Sequence, residues 1–340
     1  MRGVSRTAFG RTFDVGDGYL NTASVGVPPR QAADAVAAAL QEWRTGVGRA
    51  GDFDGVVTSA RAAFGELVGV SADRVAVGGS VSPLVGLVAA ATPDGARVAV
   101  ARGEFSSVSW PFAVQGRGIT VTEVPLERLA EADADVIAVS AVQSLDGRVA
   151  DLEALRLRGE SGTTVLLDVT QAAGWMPLRL DWADAVVGAC YKWLLAPRGA
   201  AWLAVHPRAH LTPHAANWYA AADPWDSTTG LPPRLAPEAR GLDASPAWYC
   251  HVGAAESLGW LAGLDREEVH AHCVGLADRF REGLGLEPAG SAIVHVTVPD
   301  AAARLADAGI VATARGGGAR LSFALYSSDD DVDRAIAALT

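Results

Sequence analysis

The chain has 340 residues, of which 50% are hydrophobic and 20% charged, and its formal net charge is −11. This composition is typical of a globular protein of roughly two domains and argues against a disordered chain. The negative charge argues against a nucleic acid or an anionic membrane as a partner, because both attract basic surfaces. A small-molecule substrate fits this charge better.

The cysteine count and the lengths of the apolar runs predict where in the cell the protein is found. Three cysteines without a CxxC pair predict neither a disulfide framework nor a zinc ribbon. No uninterrupted apolar run of about 18 residues is present, and residues 1–10 lack the apolar core of a signal peptide. We therefore expect a soluble, cytoplasmic protein.

The first part of the chain favours helices. Helical periodicity predicts one helix over residues 31–44 and a second over residues 56–68. Between them, Gly46-Val-Gly-Arg-Ala-Gly51 has the spacing of a dinucleotide-binding fingerprint. That fingerprint requires a preceding strand, whereas this one follows a helix, so we interpret it as a chance match.

From residue 74 onward, short apolar runs alternate with helical segments. These runs cover residues 75–77, 97–101, 119–124, 136–139, 164–168, 185–188 and 201–205. Such alternation predicts a mostly parallel sheet covered on both faces. In sheets of this kind, ligands bind at the carboxyl ends of the strands.

The last third of the chain begins with residues 206–246, which are rich in Pro, Trp, Asp and Gly and predict long ordered loops. A long helical stretch follows over residues 247–284, with a break near Gly263. A strand at 292–298, a helix, a strand at 320–325 and a helix from 329 then predict a βαβ-like tail. We predict a large domain over residues 20–246 and a small domain over residues 1–19 and 247–340.

Lys192 is the only lysine among 28 basic residues. A guanidinium stays protonated, whereas a desolvated lysine amine can lose its proton and attack a carbonyl. A single lysine can also be an accident of an arginine-rich composition. Asp168 favours chemistry, because it ends the run 164–168 at the sheet edge where Lys192 follows the run 185–188. A buried carboxylate keeps a heteroaromatic nitrogen protonated, and an amine that forms an imine anchors an aldehyde, as pyridoxal phosphate requires.

Two further motifs lie at the same predicted edge. Gly79-Ser80 follows the run 75–77 and opens a helix, whose N–H groups and dipole suit a phosphate. The alternative is that Ser80 only caps this helix. Phe105 follows the run 97–101, where its ring is placed either to stack on a flat cofactor or to pack in the core.

Taken together, these motifs resemble the class V aminotransferase superfamily of fold-type I pyridoxal phosphate-dependent enzymes over nearly the whole chain. The matching pieces are Tyr19-Leu-Asn-Thr-Ala-Ser, Gly79-Ser80, Glu104-Phe105-Ser-Ser, Asp168-Val-Thr-Gln171, Tyr191-Lys192-Trp193 and Arg320-Leu-Ser-Phe. The resemblance implies an α/β fold with a mostly parallel seven-stranded sheet in a large domain and a smaller α+β C-terminal domain. It also implies pyridoxal 5'-phosphate as cofactor, an amino-acid substrate and a homodimer with a shared active site.

The resemblance implies a role for each matching residue. Lys192 would form the internal aldimine with the cofactor, and Asp168 would pair with its pyridinium nitrogen. The other implied contacts are Gln171 to the ring hydroxyl, Phe105 stacked on the ring, Gly79, Ser80 and Tyr191 at the phosphate, Arg320 at the substrate α-carboxylate with Arg315 as its competitor, and Asn21 at the substrate. The loop near Thr228, Thr229 or Ser245-Pro246 would reach the phosphate of the partner subunit.

The chain also departs from the family pattern. Cysteine desulfurases carry a nucleophilic cysteine on the loop before the carboxylate-binding arginine, but residues 312–319 contain none. Cys190 fits a small buried residue better. Many members have Ser-Asn where this chain has Ser140-Ala-Val-Gln143, so Gln143 is a candidate to replace the asparagine.

The histidine-rich segments do not predict a metal site. Prolines prevent one helix from presenting His206, His210 and His214 together. His270 and His272 are two positions apart, so they face different sides of a helix. We therefore expect no metal site.

The sequence leaves the reaction open. Transamination of an α-amino acid after Cα deprotonation is the leading hypothesis. A β-eliminating C–S or C–C lyase, similar to hercynylcysteine sulfoxide lyase or kynureninase, is the alternative, and a non-catalytic regulatory protein is the third hypothesis. Trp218 and Trp225 predict either an aromatic pocket wall or an interface.

Overall fold

The computed structural model describes residues 5–340. Residues 1–4, which belong to the predicted small domain and to the segment assessed for a signal peptide, lie outside the described residues. The strands are β1 (Arg6–Ala8), β2 (Arg11–Phe13), β3 (Val75–Gly78), β4 (Arg97–Ala101), β5 (Thr120–Val124), β6 (Val136–Ser140), β7 (Thr164–Asp168), β8 (Ala185–Ala189), β9 (Ala201–Val205), β10 (Ile293–Val296), β11 (Thr313–Arg315) and β12 (Gly318–Ser322). The helices are α1 (Arg30–Thr45), α2 (Asp54–Val68), α3 (Val81–Ala91), α4 (Ser106–Ala113), α5 (Leu152–Glu160), α6 (Trp248–Ala262), α7 (Arg266–Gly283), α8 (Ala301–Asp307) and α9 (Asp329–Leu339).

A seven-stranded sheet forms the centre of the fold, in the order β3-β9-β8-β7-β6-β4-β5. Only β9 pairs antiparallel with its neighbours, so the predicted mostly parallel sheet is confirmed. Side chains alternate between the two faces of a strand: Val98 and Val100 pack in one apolar cluster, and Ala99 and Ala101 in another. Both faces are therefore covered, which explains why these strands are continuous apolar runs.

The strand directions bring several chain segments to one edge. Strands β3, β4, β6, β7 and β8 all end at this edge, because β9 alone runs the other way. Helix α3 starts there after Ser80, and α4 starts there after Phe105. The predicted site motifs consequently converge, since each of them follows a strand end.

The C-terminal part contains the predicted helical break. Helix α6 ends at Gly263, and Asp265 caps α7 by accepting from the backbone N–H groups of Glu267 and Glu268. Helix α6 packs on α1 and α2, and its Leu258 shares a core cluster with the central sheet. The division at residue 246 stays a prediction.

The predicted βαβ-like tail is wrong in detail. Strands β10 and β12 are antiparallel, and the unpredicted strand β11 pairs with the other edge of β12. Gly316 and Gly317 form the two-residue turn between β11 and β12, and both have positive φ angles of 56° and 77°. Such turns suit tight hairpins, so the chain reverses before β12 and inserts it between two parallel strands.

The N-terminal segment joins the small sheet to the central one. Asn21 forms a β-bridge with Ser322, and the Gly26 N–H donates to the Tyr191 carbonyl at 2.9 Å. A Cβ on Gly26 would lie 1.9 Å from the Lys192 carbonyl oxygen. Only glycine permits this approach of the two backbones.

Candidate active site

A cavity of about 190 Å³ opens at the carboxyl edge of the sheet. All seven residues predicted to bind the cofactor line it, namely Gly79, Ser80, Phe105, Asp168, Gln171, Tyr191 and Lys192. Further lining residues, to which the sequence analysis gave no role, include Ser82, Ser106, Ser107, Ser140, Ser144, Thr170 and Arg198. The sequence alone does not show that these residues lie together, because that requires knowing that each one follows a strand end or begins a helix.

Lys192 lies deep in this cavity, and its side chain is buried. Its Nζ lies 5.4 Å from the centre of the Phe105 ring and 5.6 Å from that of Tyr191. The pKa of the amine is lowered to about 8, mainly by burial and to a smaller extent by nearby arginines, whereas the charge of Asp168 opposes the shift. The amine therefore loses its proton far more readily than an exposed lysine.

Asp168 is the last residue of β7 and is also buried. Its Oδ1 accepts from the Thr170 N–H at 2.8 Å. Burial raises the pKa of the carboxyl to about 6, while Thr170 and Lys192 act to lower it. Among residues 5–340 it forms no ion pair, so this carboxylate would gain from a cationic partner in the cavity.

Another part of the cavity wall is suited to an anion. Ser80 precedes α3 without making a side-chain capping bond. Ser82 in the first turn of α3 donates to Ser107 in the first turn of α4 at 3.2 Å, so both helices begin there. N–H groups in the first turn have no partner within the helix and carry a partial positive charge. The Arg198 guanidinium adds positive charge, stacked 5.3 Å from the centre of the Tyr191 ring.

Glu104 holds the ends of β4 and β6 together. Its Oε1 accepts from the Phe105 N–H at 2.7 Å and from Ser140 Oγ at 2.6 Å. Its Oε2 accepts from the Ser140 N–H at 2.9 Å and from Gln143 Nε2 at 3.0 Å. The carboxylate thus fixes the backbone that positions the Phe105 ring.

Gln143 points toward Glu104 in this structure, and its replacement of the family asparagine stays a prediction. Its amide donates to Glu104 and to the Ser140 carbonyl and is not part of the cavity wall. The adjacent Ser144 lines the cavity instead. The difference arises because Glu104 offers Gln143 a charged acceptor on the protein side.

The amide of Gln171 is already fully engaged. Its Nε2 donates to the Ala23 carbonyl at 3.0 Å and to Ser144 Oγ at 3.1 Å, and its Oε1 accepts from Trp193 Nε1 at 2.8 Å. The predicted contact to a ring hydroxyl stays a prediction. It requires one of the two donor bonds to be exchanged.

Arg320 is a buried guanidinium beside this cavity. It donates to the carbonyl and hydroxyl of Ser144 and, at 2.7 Å, to Ser24 Oγ. Its Nε has no hydrogen-bond partner, and no carboxylate pairs with it anywhere in residues 5–340. Burial lowers its pKa to about 10, with a smaller contribution from Arg315. A buried charge without a counter-ion is costly and would be stabilised by an anionic ligand.

Asn21 lies next to the residues that surround Arg320. It is not part of the cavity wall, and its Oδ1 accepts from Thr313 Oγ1 at 2.5 Å. Thr313 in turn contacts Ser24 at 2.9 Å, and Ser24 accepts from Arg320. In this structure Asn21 supports the hydroxyl that orients Arg320, and a contact to substrate stays a prediction.

The cysteines are poorly suited to nucleophilic chemistry. Cys190 Sγ donates to the Pro197 carbonyl at 2.8 Å, and burial raises its pKa to about 12. Burial also raises the pKa of Cys250 and of Cys273. A thiolate is the reactive form, so none of these thiols is activated.

Other candidates from the sequence lie outside this cavity. The rings of Trp218 and Trp225 pack 5.0 Å apart, and Trp218 and Thr229 line a separate cavity of about 460 Å³. Across residues 5–340, no group of three or more His, Cys, Asp or Glu side chains is arranged to hold a metal ion. No helix within that range is both long and apolar enough to cross a membrane.

Comparison with known structures shows that this chain shares the fold of two cysteine desulfurases and of a cystine C-S lyase. The cystine C-S lyase C-DES, solved with its product cysteine persulfide, is 18% identical with a TM-score of 0.83, covering 96% of this chain and 97% of C-DES. The cysteine desulfurase CsdA from Escherichia coli is 19% identical with a TM-score of 0.79, covering 95% of this chain and 93% of CsdA. A cysteine desulfurase from Thermococcus onnurineus NA1 is 18% identical with a TM-score of 0.82, covering 94% and 93% of the two chains. No family model and no curated protein sequence matches the chain.

Proposed function

We propose that this chain is a pyridoxal phosphate-dependent enzyme that acts on an α-amino acid. The observation that carries the proposal is a buried lysine with a pKa of about 8 in the same cavity as a buried, unpaired aspartate. A structure of C-DES is described with glycine covalently linked to its pyridoxal phosphate cofactor, which supports the same cofactor here.

The residues of the cavity fit this cofactor. Asp168 suits a protonated ring nitrogen, because its buried carboxylate forms no ion pair among the described residues. The first turns of α3 and α4, with their serine hydroxyls and the Tyr191–Arg198 pair, suit a phosphate. Phe105 offers a flat apolar surface 5.4 Å from the lysine amine.

Each residue then has a distinct task. Pyridoxal phosphate, when bound, supplies an aldehyde that takes up an amine and a ring that withdraws electrons from the α-carbon. Lys192 would hold the cofactor through its amine, and its free Nζ would accept the α-proton of the substrate. Arg320 binds the α-carboxylate with its planar guanidinium and fixes the direction of the Cα–H bond. Phe105 keeps water away from one face of the site.

For the reaction type, we favour β-elimination. C-DES is a C-S lyase by its description and has a TM-score of 0.83 with this chain, which supports lyase chemistry. Desulfurase chemistry through a protein thiolate is not supported, because Cys190, Cys250 and Cys273 all have raised pKa values. Transamination stays the hypothesis that the sequence favoured, and both reactions begin with the same proton transfer to Lys192.

The cofactor proposal can be tested by spectroscopy and mapping. We expect an absorption band of the bound cofactor when the purified protein is mixed with pyridoxal phosphate. Borohydride reduction should then attach the cofactor covalently to Lys192, the only lysine. A Lys192→Arg variant keeps the charge and should give no fixed adduct. An adduct on the N-terminal amine alone, or none in the wild type, would contradict the proposal.

The reaction type can be tested with a panel of amino acids. A keto acid and ammonia formed without any added acceptor support β-elimination. Amino transfer that requires a keto-acid acceptor supports transamination and would sink the elimination hypothesis. The Lys192→Arg protein is the control for turnover by the free cofactor.

A further inference from the structure

Arg315 and Arg320 project from the same face of the small sheet. In the β11–β12 hairpin, Thr313 pairs with Arg320, and Arg315 is two residues further along β11. Side chains two residues apart point to the same face of a strand. Arg315 is therefore a diagonal neighbour of Arg320, close enough for two long side chains to reach one ligand.

This face looks toward the Lys192 cavity. Thr313 contacts Asn21 and Ser24, and Arg320 contacts Ser24 and Ser144. Ser144 is part of the cavity wall. Burial is the main cause of the lowered pKa of Lys192 and of Arg320, and the positive charge of Arg315 adds to both shifts. Arg315 is thus electrostatically part of the site.

The Arg315 side chain has no partner of its own. Within residues 5–340 it takes part in no ion pair and no side-chain hydrogen bond. Its neighbour Arg320 donates hydrogen bonds to Ser24 and Ser144 but also forms no ion pair within the described residues, so two like charges lie side by side without a counter-ion. The repulsion between these two positive charges is unfavourable. No acidic side chain of the described residues neutralises them, although the protein carries a net charge of −11. Two anionic groups on one ligand would relieve this repulsion.

We propose that Arg315 binds a second anionic group on the side chain of the substrate. The substrate class is then α-amino acids whose side chain carries a carboxylate or a similar oxyanion. Arg320 holds the α-carboxylate and Arg315 the distal one. This inference depends on the proposed function, because it takes Arg320 as the anchor of an amino acid.

Unreactive carboxylates test this separately from catalysis. Calorimetry measures the binding of malonate, succinate, glutarate and the monocarboxylate butyrate to the protein loaded with pyridoxal phosphate. At least one dicarboxylate is expected to bind about tenfold or more tightly than butyrate, since a charge-assisted pair is added. In Arg315→Gln that preference should fall to near unity while butyrate binding is retained. Arg44→Gln, which removes an exposed arginine at the end of α1, should keep it.

The outcomes are decisive. Equal binding of butyrate and all dicarboxylates by the wild type would overturn the proposal, as would a preference that persists in Arg315→Gln. An equal loss of butyrate and dicarboxylate binding in Arg315→Gln would assign Arg315 to the α-carboxylate and also overturn it. Arg315→Lys, which keeps the charge, should retain part of the preference. Failure of the proposed function is distinguished by the absence of a borohydride-fixed adduct on Lys192, whereas failure of this inference leaves that adduct intact.

Discussion

Burial gives Lys192 a chemistry that the arginines of this chain do not have. The same cavity disfavours the charged forms of both Lys192 and Asp168, so each pKa moves toward neutrality. Two such groups together are typical of sites that move protons. The two pKa shifts also lower the free energy of unfolding of the ligand-free protein, and a ligand of suitable charge would remove this cost.

The reactivity of Lys192 should depend on pH in a characteristic way. Because its pKa is lowered from 10.5 to about 8, its neutral form should appear about two pH units earlier than in an exposed lysine. We expect reductive methylation of Lys192 in the cofactor-free protein to have a midpoint near pH 8, measured by peptide mass mapping. The same protein in urea is the control and should give a midpoint near that of free lysine. A native midpoint equal to the denatured one would contradict the assignment.

Asp168→Asn should stabilise the cofactor-free protein at neutral pH. The folded-state pKa of Asp168 is raised from 3.8 to about 6, so its contribution to stability is lost as the pH rises through about 6. Removing the charge should increase the free energy of unfolding by up to about 3 kcal/mol at pH 7.5 and leave it almost unchanged at pH 4. Asparagine keeps the oxygen that accepts from the Thr170 N–H.

Chemical denaturation at the two pH values measures this difference. Asp307→Asn, on an exposed residue, is the matched control and should show no such pH dependence. An equal change in the free energy of unfolding at both pH values would show that the ionisation of Asp168 does not cause the effect of Asp168→Asn.

At the scale of elements, the site depends on how strand ends are joined. Strands β4 and β6 are neighbours in the sheet, and the segments that follow them need partners beyond the ladder. Glu104, which follows β4, accepts from Phe105 and from Ser140, the last residue of β6, so one carboxylate links the two segments.

Glu104→Gln should therefore be destabilising. Glutamine keeps one of the two acceptor oxygens of Glu104. Its NH₂ group replaces the other oxygen, so the donors that bonded to that oxygen lose their acceptor. Buried donors without partners cost about 1–3 kcal/mol in the free energy of unfolding. Urea denaturation measures this, with the exposed Glu160→Gln as control. A loss no larger than in the control would show that the Glu104 cluster carries no stability.

The strands of the central sheet could be predicted because each buried strand is a short run of Val, Ile, Leu and Ala between turn residues. Strand β11 is not predicted by the sequence because Thr313-Ala-Arg315 is short and contains no run of large apolar residues, and only its pairing with β12 makes it a strand. Residues that follow strand ends, such as Asp168 and Lys192, were predictable from topology. The partners of Glu104 and the link from Ser144 to Arg320 were not, because they depend on side-chain directions that no periodicity encodes.

At the scale of the whole molecule, α1 is unusual in how little of it is buried. Only Ala32 is buried along the helix, while Trp43 is 67% exposed and the following Val47 is 69% exposed. An exposed apolar stretch of this kind is typical of an interface. It supports the predicted homodimer, which stays a prediction.

Trp43→Glu should shift a dimer toward monomer. A charge at this position would have to be desolvated in the interface, while it costs little on a free surface. Light scattering after size exclusion gives the mass as a function of concentration. Leu157→Glu, on the exposed face of α5, is the control and should leave the mass unchanged. A dimer that persists equally in both variants would place the interface elsewhere.

The contact of the N-terminal segment with β12 and the Lys192 loop has a consequence for biosynthesis. Thr22 bonds to Tyr326 across 304 residues of chain, and Ala23 bonds to Ser322 and Gln171. A ribosome adding about 5–20 residues per second makes these partners tens of seconds apart. The nascent chain thus carries its lysine and aspartate long before Arg320 exists. A complete site forms only after residues 320–326 have emerged from the ribosome and met residues 22–24.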